Sequence, residues 1–187
     1  MLKAKLFFIS LLTGSALVLS ACDNANSENK APVEGASQPA ATSILGGSAT
    51  IVLPQGYVKM PKELLEAKYP AAQRPQEAWY VESEGGKVSI AFSATSSAIS
   101  DAQVEKFADM MKQQLSSFSP SLSQVTVNGR KMSRIEMLTP AADGKIYNLM
   151  QLSSRDGKLL ISTFNVTEDL QVKYAKAGEE ALSTLKY

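Results

Sequence analysis

Few side chains in this sequence are equipped for chemistry. Cys22 is the single cysteine among 187 residues, and there is no histidine. The lack of imidazole excludes His-based triads, the usual general base near neutral pH and imidazole zinc sites. The lack of a second thiol excludes an intrachain disulfide, a dithiol redox motif and a multi-cysteine metal site. What Cys22 can do is set by what precedes it. It closes the run Leu19-Ser20-Ala21-Cys22, behind Lys3, Lys5 and an apolar stretch from Leu6 to Leu19. A basic head, an apolar middle shorter than the ~20 residues of a spanning helix, and small residues before a cleavage point make a secretory signal. A cysteine at that point resembles a bacterial lipobox. The expectation is a lipoprotein signal peptide over residues 1–21. Cys22 then takes a diacylglycerol through a thioether and a further acyl chain, such as palmitate, on its new amine. Each buried CH₂ contributes roughly 0.8 kcal/mol, and one chain alone holds only reversibly, so more than one chain is what makes such an anchor stable. A free thiol behind an ordinary signal is the plainer alternative.

Asp23 and Asn24 follow the anchor. In enterobacterial lipoproteins an acid directly after the cysteine resembles an inner-membrane retention signal. The expected location is therefore the periplasmic side of a cell membrane, the inner membrane ahead of the outer, provided that rule operates in the host.

Other candidates are weaker. Ser and Lys are plentiful enough for a Ser–Lys nucleophile, but nothing sets one beside the other. Asp101, Glu105 and Asp109 recur every four residues, as a carboxylate metal cluster would. A solvated helix face explains them better, with Lys106 and Lys112 partly neutralising the row. Arg130, Lys131 and Arg134 form a basic patch that suits anionic headgroups or an acidic partner, or else a charged edge strand guarded against aggregation. Tyr69, Arg74 and Tyr80 belong to a segment, 57–80, that combines anchor-type residues with an irregular loop. That segment reads equally as a recognition loop or as a plain cover over a sheet. No catalytic residue, metal ligand or cofactor follows from any of these.

The elements that must position these residues can be read from the rest of the chain. Cleavage removes Lys3 and Lys5 from the 19 basic residues and none of the 18 acidic ones, so the mature chain carries one net negative charge. That balance gives no argument for nucleic acid. Residues 22–47 hold the lipidated cysteine and then a stretch without aromatics, rich in Ala, Ser, Asn, Gln, Pro and Gly, and read as a flexible tether. Residues 48–187 then form a single globular domain with enough chain for one core.

Within it, 49–53 reads as a strand and 62–69 as a short helix between Pro61 and Pro70. Segments 78–83 and 87–94 are strands around Gly85-Gly86. Ser100 and Gln103 form a capping-box pattern ahead of a helix whose stripe is Val104, Phe107, Ala108, Met111, Leu115 and Phe118. Strands 124–127 and 130–139 flank Asn128-Gly129, and strands 145–153 and 158–166 flank Arg155-Asp156-Gly157, both hairpin signals. Thr167 caps a last helix in which Leu170, Tyr174, Ala177, Ala181 and Leu185 share a face and Gly178 allows close approach. Hairpin-linked strands with separate helices define an α+β class. The expected architecture is a mainly antiparallel sheet of about six to seven strands with helices on both faces. Trp79 and Tyr80 should point to opposite faces of it.

At this level the chain resembles the DcrB family of envelope lipoproteins, within the wider PsbP/Mog-like fold group. The resemblance rests on Gly47, Leu53-Pro54, Trp79, Gly85-Gly86-Lys87, Gly129-Arg130-Lys131-Met132, Gly157-Lys158-Leu159-Leu160 and the terminal helix ending at Leu185. It covers nearly all of residues 47–187, and 54–76 departs from the pattern. It implies an α/β/α sandwich and a non-enzymatic accessory role in cell-envelope maintenance, in a family linked to phage sensitivity, with a protein or peptide partner. An immunity lipoprotein that neutralises a periplasmic toxin is the alternative, and a Ser–Lys hydrolase a more distant one.

Overall fold

A computed structural model of the protein describes residues 40–142 and 144–187. The signal peptide (1–21), Cys22, Asp23 and Asn24 lie outside these residues. In chain order the elements are β1 (Ala41–Ile44), β2 (Ala49–Val52), β3 (Tyr57–Lys59), α1 (Lys62–Lys68), β4 (Glu77–Val81), β5 (Val88–Ala98), α2 (Asp101–Gln114), β6 (Ser121–Val127), β7 (Arg130–Ala141), β8 (Gly144–Arg155), β9 (Lys158–Thr167) and α3 (Gln171–Leu182).

β3 to β9 form one seven-stranded sheet in the order β3-β4-β5-β9-β8-β7-β6, and every neighbouring pair is antiparallel. Two tight turns fix its register. Asn128 and Gly129 both adopt positive φ between Val127 and Arg130, and Asp156 and Gly157 do the same between Arg155 and Lys158. Two successive positive-φ residues make the turn whose twist matches that of paired strands.

Side-chain alternation divides the sheet into two faces. Ile90, Phe92, Leu149, Leu160, Phe164 and Val166 point one way and are buried beneath α3 and the β1–β2 hairpin, with Ile44, Ile51, Leu182 and Leu185. Ile135, Leu152 and Leu159 point the other way and meet Val104 and Ala108 of α2. On this second face α1 closes the far end, where Leu64, Leu65 and Tyr69 cover Met60, Ala78, Tyr80 and Ala91. The fold is therefore α+β with helices on both faces, as expected. Trp79 packs on the α3 side and Tyr80 on the α1 side. At the start of α2 the side-chain carbonyl of Gln103 accepts the Ser100 N–H at 2.9 Å, completing the capping box.

Several boundaries differ from expectation. Ala41–Ile44 lies within the span expected to be tether, yet it pairs with Ala49–Val52, and Ile44 is fully buried. The ordered domain thus begins before residue 48. The short strand Tyr57–Lys59 was not foreseen, while 49–52 belongs to the separate hairpin and not to the main sheet. The last helix starts at Gln171, after a single turn of tighter helix over Glu168–Leu170. Phe107 flanks the α2 stripe and is only half-buried; Val104 and Ala108 make the deepest contacts.

Candidate functional site

The α1/α2 face of the sheet is covered at its two ends and open between them. α1 sits over β4 and β5, and α2 over β7, β8 and β6. Strand alternation leaves Ile161, Thr163, Asn165 and Thr167 of β9, with Ile146, Asn148 and Met150 of β8, on the intervening strip, and all are half-buried. One end of this strip is a groove of about 600 Å³. Its floor holds Met150, Ile161 and Thr163, one wall is Met111 of α2, and the other is the loop carrying Gln73, Arg74 and Gln76.

The groove walls are fixed by ordinary bonds. The Arg74 Nη1–H donates to Glu66 Oε1 at 3.1 Å, and its Nε–H reaches the Tyr69 carbonyl at 3.4 Å. Gln76 Nε2 donates to the Ala94 carbonyl at 2.8 Å, holding the loop to β5. Pro70 and Pro75, with a short helical turn over Ala71–Gln73, stiffen the loop between those bonds.

The other end of the strip opens on a smaller cavity of about 280 Å³ beside the Gly85-Gly86 turn, lined by Lys68, Lys87, Lys145, Ile146 and Thr167. Lys68 donates to the Gly86 carbonyl at 2.7 Å, and burial holds its ammonium below the ordinary lysine pKa. Lys87 and Lys145 reach Asp169 and Glu168 at 3.5 and 3.6 Å. Both pairs are solvent-exposed, so each contributes only about 0–1 kcal/mol and exchanges readily for another anion.

The sequence-derived candidates divide between the two faces. Tyr69, Arg74 and Tyr80 come together around α1 and its following loop. Tyr80 is buried in the core beneath α1, and Tyr69 is half-buried with its hydroxyl 3.4 Å from Ser89 Oγ. Burial pushes the Tyr69 hydroxyl up in pKa, partly offset by hydrogen bonds to Ser89 and Asn165. Arg74 alone of the three lines the groove.

Arg130 and Arg134 lie on the opposite, α3 side, and the expected basic patch does not form. Alternation turns Lys131 to the α2 side and its two neighbours away. Arg134 is 4% exposed, and its guanidinium donates to Gln151 Oε1 at 2.9 Å, Glu179 Oε1 at 2.8 Å and Ser183 Oγ at 2.8 Å. A guanidinium so engaged ties α3 to the sheet and is withdrawn from any partner. Arg130 stacks on Tyr187, 4.8 Å from the ring centroid. Neither strand of that hairpin matches an Arg-guarded edge, because β7 is interior and β6 is the edge. Asp101, Glu105 and Asp109 are all exposed on α2.

Sequence reasoning missed the lysine cluster and the floor of the strip. A signal existed in β9: its even positions, Leu160, Ser162, Phe164 and Val166, stay largely apolar, while its odd positions turn polar from Thr163 onward. Chemically the strip offers amide, hydroxyl and cationic donors around a floor that is apolar at Met150 and Ile161 and polar from Thr163 onward. The half-buried Lys68 is bonded to a carbonyl and not to a serine.

No protein-family model matches this chain, and no curated protein matches it. Solved structures do resemble it. The solution structure of cyanobacterial PsbP (CyanoP) from Synechocystis sp. PCC 6803 superposes with a TM-score of 0.51 at 11% identity, covering 85% of this chain and 98% of that one. A crystal structure from Bacteroides thetaiotaomicron gives 0.52 at 14% identity; the match covers 80% of this chain but only 48% of that one. LpqN, involved in cell envelope biogenesis of Mycobacterium tuberculosis, gives 0.45 at 12% identity over 74% of this chain and 82% of its own, too loose a likeness to carry an argument. At these identities the likeness shows the fold alone, and that fold is PsbP-like.

Proposed function

We propose that this protein is a non-enzymatic binding module of the cell envelope, akin to the DcrB family, anchored by lipid at Cys22. Its strip between α1 and α2 receives an extended segment of a protein partner. The observation that carries this reading is the strip itself. A half-covered stretch of β8 and β9 lies between α1 and α2, and its floor of alternating apolar and amide or hydroxyl side chains, with Gln73, Arg74 and Gln76 on one wall, suits recognition of side chains and backbone. Arg74 at one end and Lys68, Lys87 and Lys145 at the other favour a segment with acidic residues. The cell-envelope setting rests on the signal and lipobox pattern, to which the absence of any described helix long and apolar enough to cross a membrane adds nothing contrary.

The test is site-specific photo-crosslinking in intact membranes from the full chain. A photoreactive residue at Gln73, on the groove wall, should capture a discrete protein. The same residue at Val172, fully exposed on α3, should not. Arg74→Glu should diminish the Gln73 product several-fold without changing the fold. Equal capture at both positions, or none at Gln73, would remove the strip as the site. Capture of a toxin-like protein would instead support the immunity reading.

A further inference from the structure

The two edges of the main sheet differ. The β3 edge is only three residues long, Tyr57–Lys59, with Lys59 paired to Glu77 at 3.0 Å and prolines close on either side at Pro54 and Pro61. Short length, charge and nearby proline are the means by which natural sheets avoid edge pairing. The β6 edge is more than twice as long and carries no charge, and its one nearby proline, Pro120, precedes the first paired residue. Its residues, Ser-Leu-Ser-Gln-Val-Thr-Val over 121–127, include no charge and no proline. Its register with β7 runs without a bulge from Ser121↔Glu136 to Val127↔Arg130. Its sole strand neighbour is β7, and the backbone of 121–127 makes no hydrogen bond to other described residues outside that pairing.

The turn at Asn128-Gly129 settles which groups face outward. A two-residue turn closes on a pair that exchanges both backbone hydrogen bonds, here Val127 and Arg130. Alternation then directs the backbone groups of Val127, Val125, Ser123 and Ser121 toward β7, and those of Thr126, Gln124 and Leu122 outward. The outward set is symmetric about Gln124. The Gln124 side chain is occupied inward, bonded to Ser133 Oγ at 3.0 Å, and leaves the strand's outer side clear. The nearby flank of α2, which borders a cleft with Ser119 and Pro120 at the start of β6, carries Asp109 beside Lys112, with Glu105 one turn earlier.

We infer that β6 is a docking edge for a second copy of this chain, joined antiparallel about a twofold axis at Gln124. Gln124 then faces Gln124 of the copy, and Leu122 faces Thr126 in both directions. All three outward residues are satisfied, with about six backbone hydrogen bonds across the axis. No like charges meet on the paired strands, and the two sheets become one. An axis of this kind is the commonest closed symmetry for a homo-oligomer, and it consumes the free edge that would otherwise recruit unrelated strands. The inference is independent of the furrow on the α1/α2 face and of the lipid anchor.

The test uses the full chain, whose only native cysteine is Cys22, with the unsubstituted protein as control for any link through that thiol. Gln124→Cys should form a covalent dimer on mild oxidation, since facing residues in such a pair lie about 5.5 Å apart at Cα, within disulfide reach. Thr126→Cys alone should not, because its counterpart stands roughly 14 Å away along the strands. Leu122→Cys combined with Thr126→Cys should restore the link. Sedimentation in detergent supplies a second readout. The parent should approach twice the monomer mass as concentration rises, and Gln124→Lys, which puts like charges face to face, should weaken that association about fivefold. Equal linking at Gln124→Cys and Thr126→Cys, or a monomer at every concentration, overturns the inference. So does a Gln124→Cys adduct with a different protein and none with itself, which would assign the edge to a foreign strand.

Discussion

Gly178 of α3 rests directly on the Phe164 ring of β9. A Cβ at position 178 would stand only 2.5 Å from Cε2 of that ring, well inside van der Waals contact, and the ring is fully buried. The absence of a side chain at one helical position thus lets α3 approach the sheet. Gly178→Ala should destabilise the domain by about 1–3 kcal/mol through overpacking. Alanine is the better helix former by about 1 kcal/mol, so the two effects oppose, and a net loss reports the clash. Urea midpoints decide it; an unchanged or raised midpoint would show that α3 can shift freely.

Arg134 makes the second expectation. Its three hydrogen bonds join β7 to β8 and to α3, and Gln151, fully buried, depends on it for its side-chain oxygen. Arg134→Ala should cost about 3 kcal/mol, since it strands Gln151 and empties a buried volume. Glu179→Ala should cost about 1 kcal/mol, because Glu179 is largely exposed and Arg134 keeps two other partners. Denaturant titration of both variants should show that order, and the reverse order would mean that the exposed carboxylate governs the network.

What the sequence made legible and what it hid follow from the range of each signal. The two hairpins were readable because Asn128-Gly129 and Asp156-Gly157 state their turn geometry in two adjacent residues. The inner part of the α2 stripe, Val104, Ala108 and Met111, and the Gly178 contact were readable from helical period, while Leu115 and Phe118 lie past the end of the helix. Arg130, Lys131 and Arg134 were misread as one patch because proximity in sequence was allowed to override alternation: Arg134 is two residues from the core residue Met132, and shares its face. The groove was hidden for another reason. Its floor and walls come from β5, β8, β9, α2 and the 72–76 loop, and only the tertiary arrangement brings Met111, Met150 and Arg74 into one cavity.

Alkaline pH provides a third expectation. Burial first of all raises the pKa of Tyr57, Tyr69, Tyr147 and Tyr187 above the ordinary 10.0; for Tyr147 the Glu136 carboxylate that accepts its hydroxyl at 2.7 Å adds to the effect. The unfolded chain releases these protons near pH 10 while the folded chain retains them. Their contribution to stability is therefore complete below that pH and is lost as pH rises toward the folded-state values. Lys68 acts oppositely, because burial lowers its pKa and the penalty on its charged form lifts as pH rises. Lys173, whose pKa its bonds to Tyr174 and Glu84 raise, acts with the tyrosines, so five groups oppose one and stability should fall steeply above about pH 10. Tyr57→Phe should make that fall shallower. It also deletes a buried hydroxyl without a described partner, and should raise stability near neutrality by about 1 kcal/mol. Thermal midpoints across the range test both; an unchanged alkaline slope would show that Tyr57 ionises freely.

The anchor itself is checked by labelling cells with a fatty acid. The full chain should incorporate label and Cys22→Ala should not, because no other thiol exists to form the thioether. Label retained by the variant would refute the lipobox reading. Fractionation of the labelled membranes, with Asp23→Ser beside the parent, then tests inner-membrane retention.

The first strand supplies the sharpest stability test. A chain beginning at Ser48 contains everything the sequence marked as globular, yet it lacks β1. Ile44 is fully buried against the core beneath α3, and its partner Ala49 and the neighbouring Ile51 are covered in part by that strand. The Leu45 N–H donates to Glu77 Oε2 at 2.7 Å, so removing it deprives a buried carboxylate of a donor and leaves Lys59 as its partner among the described residues. Burial of one isoleucine contributes about 2–3 kcal/mol, and a buried carboxylate short of a donor costs about 1–3 kcal/mol more. A chain beginning at Ala40 should unfold with the parent's midpoint, whereas one beginning at Ser48 should lose about 3–5 kcal/mol and expose Ile51. Coincident urea transitions for the two would mean that the hairpin rests on the sheet without supporting it. In that case the core beneath α3 would have to be closed by the carboxyl-terminal turn alone, where Val52 N–H meets Thr184 Oγ1 at 2.8 Å and Thr50 exchanges backbone hydrogen bonds with Lys186.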